Sequence, residues 1–371
     1  ANIAGSGATS QTQTGVARIQ GTTTRTQTGA GAVKVTVDRA QSGVARIGIG
    51  PDVWYNSAWT KRKKLTIDNS AQAETLTDFP VLVKLNSSRF TFADAQSAGQ
   101  DLRFVDSSGY LIPHEISSYD NSGQTAIIWV KVPSIASSSS TGYIYLYYGN
   151  NTAADGQNKT AVWNSGYAAV YHFSETSGAY LDSTAHAIST DTPTLASRTA
   201  DIGTGNCPQM TGSTHFITVP DNAAFDSTSY TVEALVQSAG AGATTTSGTG
   251  GGGHATIYPI VTKGYAEAES QAADIQFFVG QIGTTNLLGT DFENIATGGT
   301  PSGNNPLSSG SAISVDGSGV NHVAQVISGS SYHRQFIDGT QSATGSISLN
   351  PSSGGTQKVG IGVGVQTGGT T

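Results

Sequence analysis

The side chains able to do chemistry are widely scattered along this chain, and their spacing decides what they could do. Glycoside hydrolysis needs two carboxylates across one bond, commonly as Glu-x-Asp-x-Glu on one strand, so that one is nucleophile and the other acid. No such triplet occurs; Glu267 and Glu269 alternate, but in an Ala- and Gly-flanked stretch that reads as loop. His-x-x-x-His, His-Glu-x-x-His and Gly-x-Ser-x-Gly are absent from the sequence, which removes common zinc- and serine-hydrolase arrangements. The neighbours His114 and Glu115 are expected to hydrogen-bond rather than catalyse. Cys207 is the single cysteine, so an internal disulfide and a cysteine-based metal site are excluded. It is expected to be a small, partly buried residue. Tyr143, Tyr145 and Tyr147 alternate along one run. They suit a sugar-stacking platform or, the preferred reading, a tyrosine-rich core or interface stripe. No enzymatic activity is expected.

Composition points the same way. The 371 residues include 47 Gly and only 12% charged residues, a balance that resists helix and favours strands joined by polar loops. The one run with mild helical character is Tyr265 to Ala273. Net charge is −7, and the only basic block, Lys61-Arg62-Lys63-Lys64, reads as the solvated start of a strand. Nucleic acid is therefore not an expected partner. No apolar run approaches the ~20 residues of a membrane helix, so membrane insertion is not expected.

The elements that must position any site are strands. The run Asp101 to Asp106 turns through Ser107-Ser108-Gly109 and resumes at Tyr110 to Ile116. Ala126 to Pro133 and Tyr143 to Tyr148 follow, all short, β-branched or aromatic, and fenced by Ser, Gly, Pro and Asn. In the last run Tyr143, Tyr145 and Tyr147 face one way and Ile144, Leu146 and Tyr148 the other. Both faces are large, which predicts a central strand covered on both sides. Lys61 to Asp68 and Phe79 to Leu85 complete a first module over 54–158. A second, over 159–371, holds expected strands at Ala169–Phe173, Phe216–Pro220, Tyr230–Val236, Ile257–Lys263, Ile275–Ile282, His322–Ile327, Arg334–Ile337 and Lys358–Gly362. Asp338-Gly339 is a hairpin turn, and Ser238 to Thr256 is a Gly/Thr-rich insertion expected to form a long loop.

Residues 1–53 repeat. Gln13-Thr14-Gly15-Val16-Ala17-Arg18-Ile19 recurs at Gln41-Ser42-Gly43-Val44-Ala45-Arg46-Ile47, with a weaker copy from Gln27, a period of 14 residues. Val33, Val35 and Val37 alternate with Lys34, Thr36 and Asp38, the pattern of a half-buried strand. A unit this small cannot bury that stripe alone. The expectation is a repetitive β stalk that self-associates through Val33, Val35 and Val37, pairing strands outside each 14-residue unit and most readily with neighbouring chains.

The order Trp59 and basic strand, FPVLVKL, DLRFVDSSG, HEI, IWVKVP, YIYLYYGN resembles the domain of unknown function 2341, found in surface and secreted proteins. That resemblance implies a β-sandwich and no established chemistry. The order YHFSE, LDST, HFITVP, YTVEALV, NHVAQV, QFIDG, VGIG resembles the laminin-G-like, concanavalin A-like jelly roll. Relative to that pattern the chain is expected to lack the last strand, or to be part of a longer one. The second resemblance implies lectin-like binding of glycan or another surface, and turn positions at Asp182 and Asp338 where some related jelly rolls hold calcium. The plainer reading of both is Asp as turn former.

The whole reads as an all-β, non-enzymatic extracellular, cell-surface or virion-surface protein, a fibre, spike or filament subunit with a lectin-like domain. The rival reading is the carbohydrate-binding portion of a larger secreted degradative enzyme. A glycosidase in its own right ranks last.

Overall fold

Strand-forming runs and turn residues sort the described chain into antiparallel sheets, as the residue pattern predicts. The computed structural model describes residues 54–365 apart from 204, 240–241, 248–251, 265–274, 296–300, 316 and 318; of Thr23–Thr26, Ala32–Val35, Ile295 and residues 301–302 it describes the backbone alone. The chain divides into two units, Ala1–Asn158 and Lys159–Thr371.

In the first unit β1 (Thr23–Thr26) pairs antiparallel with β2 (Ala32–Val35), setting Arg25 opposite Val33 and Thr23 opposite Val35. The second repeat thus pairs with the end of the first, within one chain. Val37 lies outside the described residues, as does the run Tyr265 to Ala273.

Seven further strands make a sandwich: β3 (Lys61–Ile67), β4 (Leu76–Asn86), β5 (Arg103–Asp106), β6 (Leu111–Ile112), β7 (His114–Asp120), β8 (Thr125–Ile135) and β9 (Gly142–Tyr148). One sheet has the order β3-β9-β5-β6, the other β4-β8-β7. Leu85, Ile128 and Val130 from the second sheet meet Phe104, Ile112, Ile144 and Leu146 from the first in one core, each fully buried large apolar side chain contributing ~1.5–3 kcal/mol. β9 is central, as its two large faces require. The run Tyr110 to Ile116, read as one strand, is instead split at Pro113: Leu111–Ile112 pairs with β5, whereas His114–Asp120 pairs with β8 in the opposite sheet. Proline has no N–H to give a ladder, so the chain changes sheets there.

The second unit opens with a short helix α1 (Lys159–Val162) and the hairpin β10 (Ser197–Asp201) with β11 (Asn206–Gln209). It continues through β12 (Ile217–Val219), β13 (Ser229–Val236), β14 (Ile257–Gly264), β15 (Ile275–Ile282), β16 (Leu287–Asp291), β17 (Glu293–Ile295), β18 (Pro301–Asn304), β19 (Leu307–Ala312), β20 (Asn321–Ser328), β21 (Tyr332–Ile337), β22 (Thr340–Ser346) and β23 (Val359–Ile361). A six-stranded sheet, β12-β23-β14-β15-β16-β19, lies against a four-stranded one, β13-β20-β21-β22, and β17 pairs with β18 apart. Val279, Leu288 and Val323 fill the space between the sheets with Val232 and Ala234. The β21–β22 connection is the expected Asp338-Gly339 turn, with φ of +50° and +75°, two left-handed residues in a two-residue hairpin.

One expected strand is absent. Ala169–Phe173 is irregular, because its backbone bonds go elsewhere: the Val170 N–H donates to Asp182 Oδ1 at 3.0 Å and the Val170 carbonyl accepts from Ser183 N.

Candidate functional site

The first unit exposes one face of the sheet β3-β9-β5-β6. Leu65 and Ile67 pack inward, so Arg62, Lys64 and Thr66 face out. In register beside them stand Tyr147, Tyr145 and Tyr143, and beyond these Arg103 and Val105 of β5. The Arg62 guanidinium lies 4.5 Å from the Tyr145 ring and 5.1 Å from Trp54, and donates to the Tyr147 hydroxyl at 3.3 Å. The Lys64 ammonium lies 4.0 Å over Tyr143. The three tyrosines form an edge-to-face ladder, with centroids 5.4 and 6.2 Å apart. Cation–aromatic contacts of this kind are worth about 0.5–1 kcal/mol each at exposed sites. The packed-stripe reading fits the inner end of the run. Tyr147 is sealed beneath Trp54, Tyr55 and Trp59, whereas Tyr143 and Tyr145 are half-buried beside exposed Lys64 and Thr66. No strand residue on that face is a carboxylate.

A residue that sequence reasoning did not single out holds this face in place. Asp101 is fully buried, and its carboxylate accepts from Gln96 N at 2.8 Å, Gly149 N at 2.8 Å and Asn150 N at 3.1 Å. Its carbonyl takes the Trp59 indole N–H at 2.6 Å. The DLRF and YYGN motifs therefore occur together because the first caps the end of the second. His114 is also buried; desolvation first, and the Arg103 charge second, push it down to about 4. It is neutral at neutral pH, packed 5.2 Å from Phe104.

In the second unit the calcium candidates are placed apart and occupied by donors. Asp182 accepts from Val170 N and Thr184 N on Oδ1, and from Thr184 Oγ1 and Ile188 N on Oδ2, at 2.7–3.0 Å. Asp338 accepts from His322 N at 2.8 Å and Asn321 Nδ2 at 2.9 Å. Among the described residues no three His, Cys, Asp or Glu groups converge as a cation site. Both aspartates act as turn fasteners in this arrangement.

Asp291 and Glu293 carry no signal in the sequence that would have singled them out. Leu288 and Thr290 face the interior, where Thr290 Oγ1 lies 2.6 Å from His333 Nε2, so Asp291 faces the other side of the six-stranded sheet. The insertion after β13 folds back over it. Thr245 bridges to Ile257, the Ser247 hydroxyl donates to Asp291 Oδ2 at 2.7 Å, and His254 N donates to Ser247 Oγ at 2.9 Å. Phe292 N and Asn305 N occupy Asp291 Oδ1. Burial raises Asp291 to about 7, against three hydrogen bonds that lower it and with the Glu293 charge adding to the rise. The two carboxylates are 0% and 3% exposed and do not open onto solvent; Asp291 fastens the insertion, and Glu293 takes the Ile275 N–H at 3.2 Å. Gly280 and Gly289 stand opposite each other on this face, and a Cβ on either would meet Ile257 within 2.8 Å. The bare strip they leave is where Ile257 and the His254 ring lie.

Residues 98–189 match the family model described as Domain of unknown function (DUF2341). The match supports the first module, although it begins later than residue 54 and runs past residue 158. No curated protein and no solved structure matches the chain.

Proposed function

We propose that the chain is a non-enzymatic adhesion and structural protein of an extracellular, cell or virion surface, whose sandwiches present binding faces for glycan. The observation that carries this is the end of the β3-β9-β5-β6 sheet's face away from the core. There Tyr143 and Tyr145 stand with Lys64 and Arg62 on a face whose strands offer no carboxylate. Rigid aromatics beside long cations bind polar ligands with an apolar side at low entropic cost. The second unit is read as a laminin-G-like, concanavalin A-like jelly roll with a lectin role; two facing antiparallel sheets of six and four strands are compatible with that. Self-association through the repeats, including Val33, Val35 and Val37, belongs to the same reading, and deletion of residues 1–53 followed by light scattering addresses it.

The test of the binding face is a glycan array probed with the full chain and with a Tyr143→Ala, Lys64→Gln double variant. Binding by the parent that falls at least several-fold in the variant is expected. Binding indifferent to both substitutions, or no binding by the parent, sinks the reading.

A further inference from the structure

We propose that the outer face of the sheet β13-β20-β21-β22 binds an acidic glycan, with Arg334 reading the sugar carboxylate. The proposal rests on the adhesion reading above and names a ligand class for the second unit. His333 and Gln335 face the interior, where both bond to Thr290, so Tyr332, Arg334 and Phe336 face out. Register places Thr231, Val326, Arg334 and Thr344 in one row across the four strands. Thr231 and Thr344 are exposed on either flank.

Arg334 makes no hydrogen bond or ion pair among the described residues. Its guanidinium lies 3.9 Å from the centre of the Tyr332 ring, and its Nε is shut off from solvent without an acceptor. With Nε closed off, the two Nη groups are the donors left for an incoming anion, and that end of the planar fork fits a carboxylate two bonds at a time. Stacking on Tyr332 holds the fork's plane, so little freedom is lost on binding.

The surroundings select the kind of anion. Phe336, two residues along the same strand, offers apolar surface for the C–H face of a pyranose ring, while the Tyr332 ring backs the guanidinium. The threonine hydroxyls can meet sugar hydroxyls. One cation suits one carboxylate per sugar. The carboxylate nearest along the rows, Glu233, stands two strands away and bonds to His322 at 3.1 Å, so it does not neutralise Arg334.

The experiment is calorimetric titration of the full chain with tetragalacturonate and with neutral galactotetraose, at low and at physiological salt. Tighter binding of the acidic probe is expected, weakening with salt. Arg334→Gln should reduce that affinity about tenfold or more, as for loss of a charge-assisted bidentate pair. Arg334→Lys should retain part of it, and both variants should keep the parent's thermal midpoint within a few degrees. Equal affinity of the parent for both probes, or an Arg334→Gln variant that binds tetragalacturonate like the parent, overturns the proposal. If galactotetraose binds and depends on Tyr143 while Arg334→Gln is silent, the adhesion reading stands and this one falls. If neither probe binds, and the array is also blank, both fall.

Discussion

The Ser247 hydroxyl donates to the Asp291 carboxylate at 2.7 Å across 44 positions of sequence, tying a Gly/Thr-rich insertion to the sheet beneath it. Burial leaves that carboxylate with a proton affinity unlike that of an unfolded aspartate, and a pH dependence follows. The unfolded group titrates near 4 and the folded one at about 7. Between those values the folded chain holds a proton that the unfolded chain has lost. Stability from this group is therefore present at low pH and falls as pH rises to about 7, by at most about 1.4 kcal/mol per unit. His333, lowered to about 4 by burial, slopes the other way, so the useful quantity is the difference between parent and Asp291→Asn. Denaturation midpoints from pH 4 to 8 should converge or cross as pH rises; parallel curves would show that Asp291 is ionised throughout.

In the first unit the sign reverses. His114 is lowered to about 4, whereas the unfolded imidazole titrates near 6.5. The unfolded chain binds the extra proton in that window. Stability from His114 is complete above about 6.5 and is lost as pH falls towards 4. His114→Leu should flatten the acid limb of the first unit's stability curve, and an unchanged limb would assign that slope to other groups.

Lys263 is fully buried, and its ammonium donates to Asp221 Oδ1 at 2.5 Å, Gly355 O at 2.7 Å and Gln357 O at 3.0 Å. Lys263→Met keeps the stem but strands these acceptors, and should cost about 3 kcal/mol. Adding Asp221→Asn should recover part of that loss. Chemical denaturation of the single and double variants checks both; a Met variant as stable as the parent would mean that these three bonds contribute little.

Calcium at Asp182 would have to displace three N–H groups and one hydroxyl. In calcium-free buffer Asp182→Ala should lose roughly 2 kcal/mol or more, because buried donors are left unmet. Calorimetric titration with calcium should give the same heat for the parent, Asp182→Ala and Asp338→Ala. A heat that vanishes in one variant alone would place a cation there despite the donors.

The sequence carried the strands of the first unit well, because alternation over Tyr143 to Tyr148 specifies both the strand and its two faces. It said less wherever a distant partner decides. Pro113 marked a break but not a change of sheet. Ala169–Phe173 has strand composition, yet Asp182, 12 positions on, takes the Val170 N–H. Asp101 and Asp291 look like ordinary aspartates in sequence; their roles come from Gly149 and Ser247, which no local window contains. The stripe at Val33 and Val35 did predict a strand, and its pairing with Thr23–Thr26 lies within the chain.

The facing glycines at 280 and 289 have a wider consequence. They carry no side chain, so the strip is filled from its edges, by Ile257 at the start of the neighbouring strand β14 and by the His254 ring of the insertion. The six-stranded sheet is in this sense a socket with a blank floor. Changing what sits in the socket leaves the sandwich core untouched, since Val279 and Leu288 point the opposite way. Substitutions in the insertion at positions that do not touch this strip therefore change the surface shown without changing the core beneath.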